Sequence, residues 1–187
     1  MTTTTSPLIP ALAALVLAAA AAGCAGLTPG SREPARGLVP GAGFDHVTFG
    51  QAPAGAPRLR VYLAGDGRAW LGRTRVAVDP TPRRAPVLGL LRQDPGPAVL
   101  LGRPCYHGLH AAPGCHPRLW THARYGETVV ASMTAALERL AGGAGIGRIT
   151  LVGYSGGGAL AALIAPRVPA VDVVVTVAGN LDPAGWA

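Results

Sequence analysis

Apolar residues recur along the chain with two different periods. Residues 58–64 alternate between polar and apolar side chains and then become wholly apolar, which predicts a strand. Short apolar runs predict four more strands, at residues 46–49, 98–101, 148–152 and 171–177. Glycine-rich or proline-containing stretches separate these runs, so the strands are short and connected by turns.

Helical spacing appears between the predicted strands. Residues 125–140 place their apolar side chains three and four positions apart, which predicts a helix with one buried face. Residues 157–167 predict a second helix, rich in Ala and Leu, and residues 86–91 a short one, whereas residues 104–120 predict a loop. This order of strands and helices predicts an α/β fold, a mostly parallel sheet with helices on both faces.

The N-terminal region predicts export. Residues 8–22 are almost wholly apolar but shorter than the about 20 residues that cross a bilayer. The run ends in Ala21-Ala22-Gly23-Cys24, which resembles a bacterial lipobox, so residues 1–23 are predicted as a lipoprotein signal peptide with Cys24 as the lipidated residue. A leucine is more usual at position 21, and no Lys or Arg precedes the run; an ordinary cleaved signal and an uncleaved anchor are the alternatives.

Residues 24–43 contain many Pro and Gly residues and no apolar period, which predicts a flexible tether. The folded domain is then expected at residues 44–187. Lipidation would hold it on the membrane of the bacterial cell envelope, facing the periplasm. Ala25, directly after Cys24, favours the outer membrane by resemblance to lipoproteins in general.

Composition and charge exclude several partners. The net charge of +7 comes entirely from arginine, and the arginines are scattered from Arg32 to Arg167 instead of clustering, so we expect no nucleic-acid partner. The absence of lysine excludes a phosphate-binding P-loop. The glycines of residues 143–147 precede a strand and do not form the dinucleotide pattern, so we expect no cofactor.

With Cys24 lipidated, two cysteines remain. Export favours a disulfide between Cys105 and Cys115. The alternatives are free thiols or a metal site, because Cys105, His107, His110, Cys115 and His116 lie close together in the sequence. Their spacing matches no familiar zinc pattern, so we expect no metal.

The candidate chemistry lies at one turn. Residues 153–157 read Gly-Tyr-Ser-Gly-Gly and fit G-x-S-x-G, with a predicted strand before Ser155 and a predicted helix after it. So tight a turn forces Ser155 into strained backbone angles and raises its hydroxyl above the sheet, near the positive end of the helix. We therefore predict Ser155 as a nucleophile; a bystander serine in a glycine-rich turn is the alternative.

A nucleophile for acyl transfer needs donors for the developing oxyanion. We predict the backbone N–H of Gly156 as one donor. The second is expected from residues 65–67, Gly-Asp-Gly, which follow the strand 58–64; the Asp66 N–H comes first and Gly67 next. Alternatively this loop is a plain turn in which the Asp66 side chain caps the turn or pairs with Arg68.

Several stretches resemble α/β-hydrolases, and in particular a group of bacterial lipoprotein-like ones. They are residues 61–70, 103–105, 118–121, 151–160 and 177–182. The resemblance implies the α/β-hydrolase fold and an esterase- or lipase-like serine hydrolase of ester, thioester or amide bonds with a small-molecule or acyl substrate. Ala64 departs from it, because a His or acidic residue often precedes the oxyanion glycine.

The rest of a catalytic triad is missing. In this fold an acid and then a histidine follow the serine, but all five histidines precede Ser155. The acids after Ser155 are Asp172, at the wrong end of its strand, and Asp182, the candidate triad acid. Alternatively, Asp182 is a loop residue, because the usual acid follows a later strand. An unusual route could instead bring His107, His110 or His122 to Ser155.

The predicted strand 171–177 is apolar on both faces, and neither a charge nor a proline protects residues 173–177 at a sheet edge. We therefore expect a truncated or frameshifted version of a longer hydrolase that lacks the last strands. The alternative is a degenerate, non-catalytic lipoprotein domain that binds a partner or ligand.

Overall fold

The computed structural model describes residues 33–182. The strands are β1 (Arg36–Pro40), β2 (Asp45–Gln51), β3 (Leu59–Leu63), β4 (Trp70–Leu71), β5 (Arg75–Val76), β6 (Ala98–Leu101), β7 (Ile149–Tyr154) and β8 (Val171–Val177). The helices are α1 (Pro86–Gln93), α2 (Glu127–Gly143) and α3 (Gly156–Ile164), and short 3-10 helices span Pro117–Trp120 and Ala165–Arg167.

Six strands form one sheet in the order β1-β2-β6-β3-β7-β8. Strands β6, β3, β7 and β8 are parallel, whereas β1 and β2 add an antiparallel edge. The predicted α/β class with a mostly parallel sheet is therefore confirmed. Strands β4 and β5 form a separate two-stranded hairpin, which residue patterns did not predict because each strand has only two residues.

Alternate side chains of β3 enter two different cores. Val61 packs in the core that contains Leu137 of α2 and Leu160 of α3. Tyr62 points to the other face and packs in the core that contains Leu91 of α1. Because successive strand residues face opposite sides of a sheet, the helices cover both faces, as predicted.

The predicted tether at residues 24–43 is wrong over residues 36–40, which form β1. This strand pairs with β2 through Leu38 opposite Val47 and Val39 opposite His46. Folded structure therefore begins before Phe44. The hydrophobic pattern is weak because only Val39 of β1 is buried, while Leu38 is 62% exposed. The predicted signal peptide, Cys24 and the first part of the tether lie outside the described residues.

Strand β8 is the outermost strand of the sheet within residues 33–182. Its valines 173, 174, 175 and 177 are each 40–42% exposed. The sequence-based expectation of an apolar strand at an edge thus agrees with the described part of the chain.

Asp172 of β8 lies at the end of the sheet opposite Ser155. Its carboxylate accepts hydrogen bonds from Arg58, including one of 2.7 Å from Nη2, and from Nε of Arg148 at 2.9 Å. The Arg58 hydrogen bond is the largest influence on Asp172 and lowers its pKa to about 2. Asp172 therefore connects the amino ends of β3, β7 and β8, and its predicted position away from the site is confirmed.

No helix within residues 33–182 combines the length and hydropathy needed to cross a bilayer.

The His46 side chain connects β2 to Gly102, the residue after β6, and to helix α2. Its ring is fully buried, with Nδ1 2.8 Å from the carbonyl oxygen of Gly102 and Nε2 2.8 Å from the hydroxyl oxygen of Ser132. A carbonyl only accepts, so Nδ1 donates to it, and the neutral ring accepts at Nε2 from the Ser132 hydroxyl. Burial lowers the pKa of His46 below its ordinary value of 6.5.

We expect His46 to make the free energy of unfolding depend on pH. Because its folded pKa is lowered, the unfolded chain binds the proton first. The contribution of His46 to the free energy of unfolding is therefore fully present above the unfolded pKa of 6.5. It is lost as the pH falls below 6.5 toward the lower pKa of the folded state. Urea unfolding of the native protein and of His46→Gln between about pH 8 and pH 5 should show a flatter profile for the variant. The pKa of His107 is also lowered by burial. Because His107 is present in both proteins, its contribution cancels when the two pH profiles are compared. Parallel profiles would contradict the assignment.

Candidate active site

Ser155 lies on the sharp turn between β7 and α3. Its backbone has φ 51° and ψ −123°, a left-handed conformation that serine rarely adopts. Such a residue costs about 1–3 kcal/mol and persists only where the surrounding structure holds it. The strained turn predicted from the G-x-S-x-G pattern is therefore present.

Two glycines after Ser155 allow the turn to pack closely. A Cβ on Gly157 would lie 2.1 Å from the carbonyl oxygen of Leu63, the last residue of β3. A Cβ on Gly156 would lie 1.9 Å from Oδ1 of Asp66. A side chain at Gly157 would meet backbone, so glycine is required there, whereas a side chain at Gly156 would have to displace the Asp66 carboxylate.

A cavity of about 380 Å³ opens at Ser155. Its walls are residues 64–67 after β3, Pro82 with residues 84–87 leading into α1, and the Tyr154–Ser155 turn. Gly65 lies close to the serine, because a Cβ there would lie 3.6 Å from the Ser155 Oγ. The predicted oxyanion loop and the predicted nucleophile therefore share one cavity.

Two of the predicted oxyanion donors have backbone N–H groups that are free within residues 33–182: Gly156, next to Ser155, and Asp66, on the cavity wall. Gly156 is the first residue of α3, so its N–H belongs to the first turn and has no partner inside the helix. The Asp66 N–H donates to no acceptor within residues 33–182. Gly67 follows in a left-handed conformation with φ +67° and borders the same cavity. The catalytic roles of all three remain predictions.

The Asp66 side chain does not pair with Arg68, as one alternative supposed. Arg103 Nη2 donates to its Oδ1 at 2.7 Å, and Arg124 Nε donates to its Oδ2 at 3.1 Å. The Tyr125 hydroxyl lies 2.8 and 2.7 Å from the two oxygens and donates to the carboxylate as well. The carboxylate beside Gly156 is thus held by three side chains.

Arg103 and Tyr106 are site residues that sequence reasoning missed. Arg103 is buried, with its Cζ 5.9 and 5.5 Å from the ring centroids of Tyr106 and Tyr125. Tyr106 donates its hydroxyl to the Asp66 carbonyl at 2.9 Å, and burial raises the pKa of Tyr106 to about 12, so it stays a donor. The sequence held one signal for Arg103. It comes two residues after the apolar strand 98–101, at the carboxyl end of a strand that neighbours β3.

The predicted disulfide between Cys105 and Cys115 is confirmed, with the two Cα atoms 5.6 Å apart. Cys105 lies between Arg103 and Tyr106, so the disulfide anchors the segment that holds Asp66. With both sulfurs bonded to each other, the alternative metal site is not assembled, and no group of three or more His, Cys, Asp or Glu residues within residues 33–182 could hold a metal ion.

The alternative histidine route to Ser155 is not found in the described part of the chain. The ring of His107 packs against Phe49 at 5.1 Å, and the ring of His122 packs against Trp70 at 5.8 Å. His110 Nδ1 lies 3.6 Å from the Asp79 carboxylate. No histidine of residues 33–182 borders the cavity at Ser155.

Asp182 follows the end of β8 and is exposed. The chain there stays next to the nucleophile: the Ser155 N–H donates to the Val177 carbonyl at 2.9 Å, and the Asn180 N–H donates to the Ser155 carbonyl at 3.2 Å. Asp182 does not border the cavity at Ser155, and its role as triad acid remains a prediction.

No family model matches this sequence, and no curated protein matches it. Among solved structures, the chain is similar to a proline iminopeptidase-related protein from Thermus thermophilus, with 19% identity and a TM-score of 0.50 over 79% of this chain and 45% of that one. It is also similar to a hormone-sensitive lipase from a metagenome library, with 19% identity and a TM-score of 0.50 over 98% of this chain and 54% of that one. The chain spans about half the length of these proteins.

These likenesses, together with the strand–serine–helix turn, define the class of fold: the chain has the α/β-hydrolase fold. In that fold a serine at this turn stands at the carboxyl end of the sheet, which is where Ser155 lies.

The glycine requirement can be tested with a matched pair of helical positions. Gly157→Ala should lower the free energy of unfolding by at least about 2 kcal/mol, because its Cβ would meet the Leu63 carbonyl. Gly142→Ala, near the end of α2, meets nothing within 4 Å and should raise stability by about 0.5–1 kcal/mol. Urea unfolding measures both, and equal stabilities for the two variants would refute the close approach of α3 to β3.

Proposed function

We propose that this protein is a serine hydrolase that cleaves an ester, thioester or amide, with Ser155 as its nucleophile. The observation that carries the proposal is the strained position of Ser155, between a central parallel strand and a helix N-terminus, with its turn bordering a cavity. Strain of this kind at a solvent-accessible hydroxyl is typical of active sites.

The reaction follows from the groups at the cavity. The Ser155 Oγ forms a bond to the substrate carbonyl carbon, the bond to the leaving group breaks, and the hydroxyl proton departs with that group. Water then cleaves the acyl-enzyme and restores the serine. The N–H groups of Gly156 and Asp66 would stabilise the negative oxygen, each by about 3–4 kcal/mol. Arg103, Tyr106 and Tyr125 hold Asp66 in place for this role.

We assign no general base among residues 33–182. No histidine among residues 33–182 borders the cavity at Ser155. A serine hydroxyl without a base is a weak nucleophile. This observation supports a second candidate function, a non-catalytic domain that binds a ligand or partner at the same cavity.

Labelling with a fluorophosphonate separates the two candidates. An activated Ser155 Oγ displaces fluoride and forms a bond to phosphorus, so we expect the native protein to be labelled and Ser155→Ala to remain unlabelled. Ser132→Ala is the control, because Ser132 is buried against His46 and away from the cavity; it should be labelled like the native protein. No labelling of the native protein would favour the binding domain.

We also propose that the protein is anchored in the bacterial cell envelope through lipid on Cys24. The support is the small-residue sequence before Cys24 and the apolar run that precedes it. The lipid would keep the cavity at a membrane surface, where acyl substrates are concentrated.

Metabolic labelling with palmitate in a bacterial host tests the anchor. Cys24→Ala should abolish the label and release the protein from the membrane fraction. The double variant Cys105→Ala/Cys115→Ala is the control for other cysteines and should keep the label. Palmitate that persists on Cys24→Ala would refute this anchor.

A further inference from the structure

We infer that the substrate carries an anionic group, a carboxylate or a phosphate, close to the bond that is cleaved, and that Arg84 binds this group. The inference rests on the proposed function of Ser155 and adds the class of substrate. The first observation is position: Arg84 borders the same cavity as Ser155.

Arg84 is free to bind a ligand. Its side chain makes no hydrogen bond or ion pair within residues 33–182 and is exposed at the cavity. Other arginines near the site are already committed to Asp66, as the 2.7 Å contact of Arg103 shows. A guanidinium presents donors that match a carboxylate or a phosphate in pairs, so an unpaired one on a cavity wall is suited to an anion.

Among residues 33–182, no carboxylate on the cavity walls is available to Arg84. Asp66 is the one acidic residue among the described wall residues, and both of its oxygens accept hydrogen bonds from Arg103, Arg124 and Tyr125. Among the described wall residues, Arg84 therefore carries the positive charge that is not paired, and we expect a positive electrostatic field at the cavity mouth.

The start of α1 adds to this field. Pro86 and Val87, in the first turn of α1, border the cavity, and no acidic residue occupies that turn. The N-terminal end of a helix carries a partial positive charge that favours anions. Arg84 precedes this end by two residues, so the side chain and the helix act on the same side of the cavity.

The arginine excess continues beside the cavity. A neighbouring depression of about 340 Å³ shares Pro82 with the cavity and contains Arg68, Arg83 and Asp79. Neither arginine forms an ion pair within the described residues, whereas Asp79 lies next to His110. An anionic substrate would therefore approach Ser155 over a surface with more positive than negative side chains.

Two fluorophosphonate probes of equal length test the inference, one ending in a carboxylate and one in a neutral methyl ester. At low salt we expect the carboxylate probe to label the native protein about tenfold faster. Arg84→Gln should bring the ratio of the two labelling rates to about one, and Arg84→Lys should keep part of the preference. Arg73→Gln is the matched control, because Arg73 is exposed and borders neither cavity; it should behave like the native protein.

The possible results separate this inference from the proposed function. Equal labelling by both probes would overturn the role of Arg84 while leaving Ser155 as a nucleophile. If neither probe labels the protein, the proposed function fails. Binding of monomethyl succinate and of methyl phosphate to Ser155→Ala, measured by calorimetry, then tests the role of Arg84. Binding that Arg84→Gln removes would support it, and the tighter ligand identifies the anion; binding that is absent or unchanged by Arg84→Gln would overturn it.

Discussion

The close approach of α3 to the end of β3 is the constraint on which the site depends. The Gly157 backbone lies against the Leu63 carbonyl with no room for a side chain. The chain can therefore leave β7 and start α3 only through a turn so tight that Ser155 takes a positive φ. Leu160 and Ile164 of α3 are fully buried in the main core, and their packing offsets the strain of the turn.

A second group of contacts sets the position of the loop opposite Ser155. Arg103 is almost completely buried, and burial of a charge is costly unless it is paired. Asp66 supplies the pairing charge, and the rings of Tyr106 and Tyr125 lie next to the guanidinium. The Cys105–Cys115 disulfide restrains the segment that carries Arg103 and Tyr106. The same ion pair that places a negative charge beside the buried Arg103 thus helps to hold the Asp66 loop at the cavity.

The arginines near the cavity are of two kinds, those paired with a carboxylate and those that are not paired in the described part of the chain. Arg103 and Arg124 are bound to Asp66 and serve the fold of the loop. Arg84 has no such partner in the described part of the chain and faces the cavity. At the opposite end of the sheet, Arg58 and Arg148 are also paired with a carboxylate, that of Asp172. The arginines therefore differ in whether a carboxylate already binds them, although the sequence presents them all alike.

The sequence by itself determined the α/β class, the strands of the central sheet from β2 onward and the turn at Ser155, because these depend on periodicity and on glycines close to the serine. Strand β1 escaped prediction since only Val39 in it is buried. The partners of Asp66 were decided by the tertiary structure alone: Arg103, Arg124 and Tyr125 lie 37, 58 and 59 residues from it along the chain. No local pattern connects residues so far apart. Asp66 and Arg103 follow the neighbouring parallel strands β3 and β6, whereas Arg124 and Tyr125 precede α2, and only the packing of these elements brings the four side chains together.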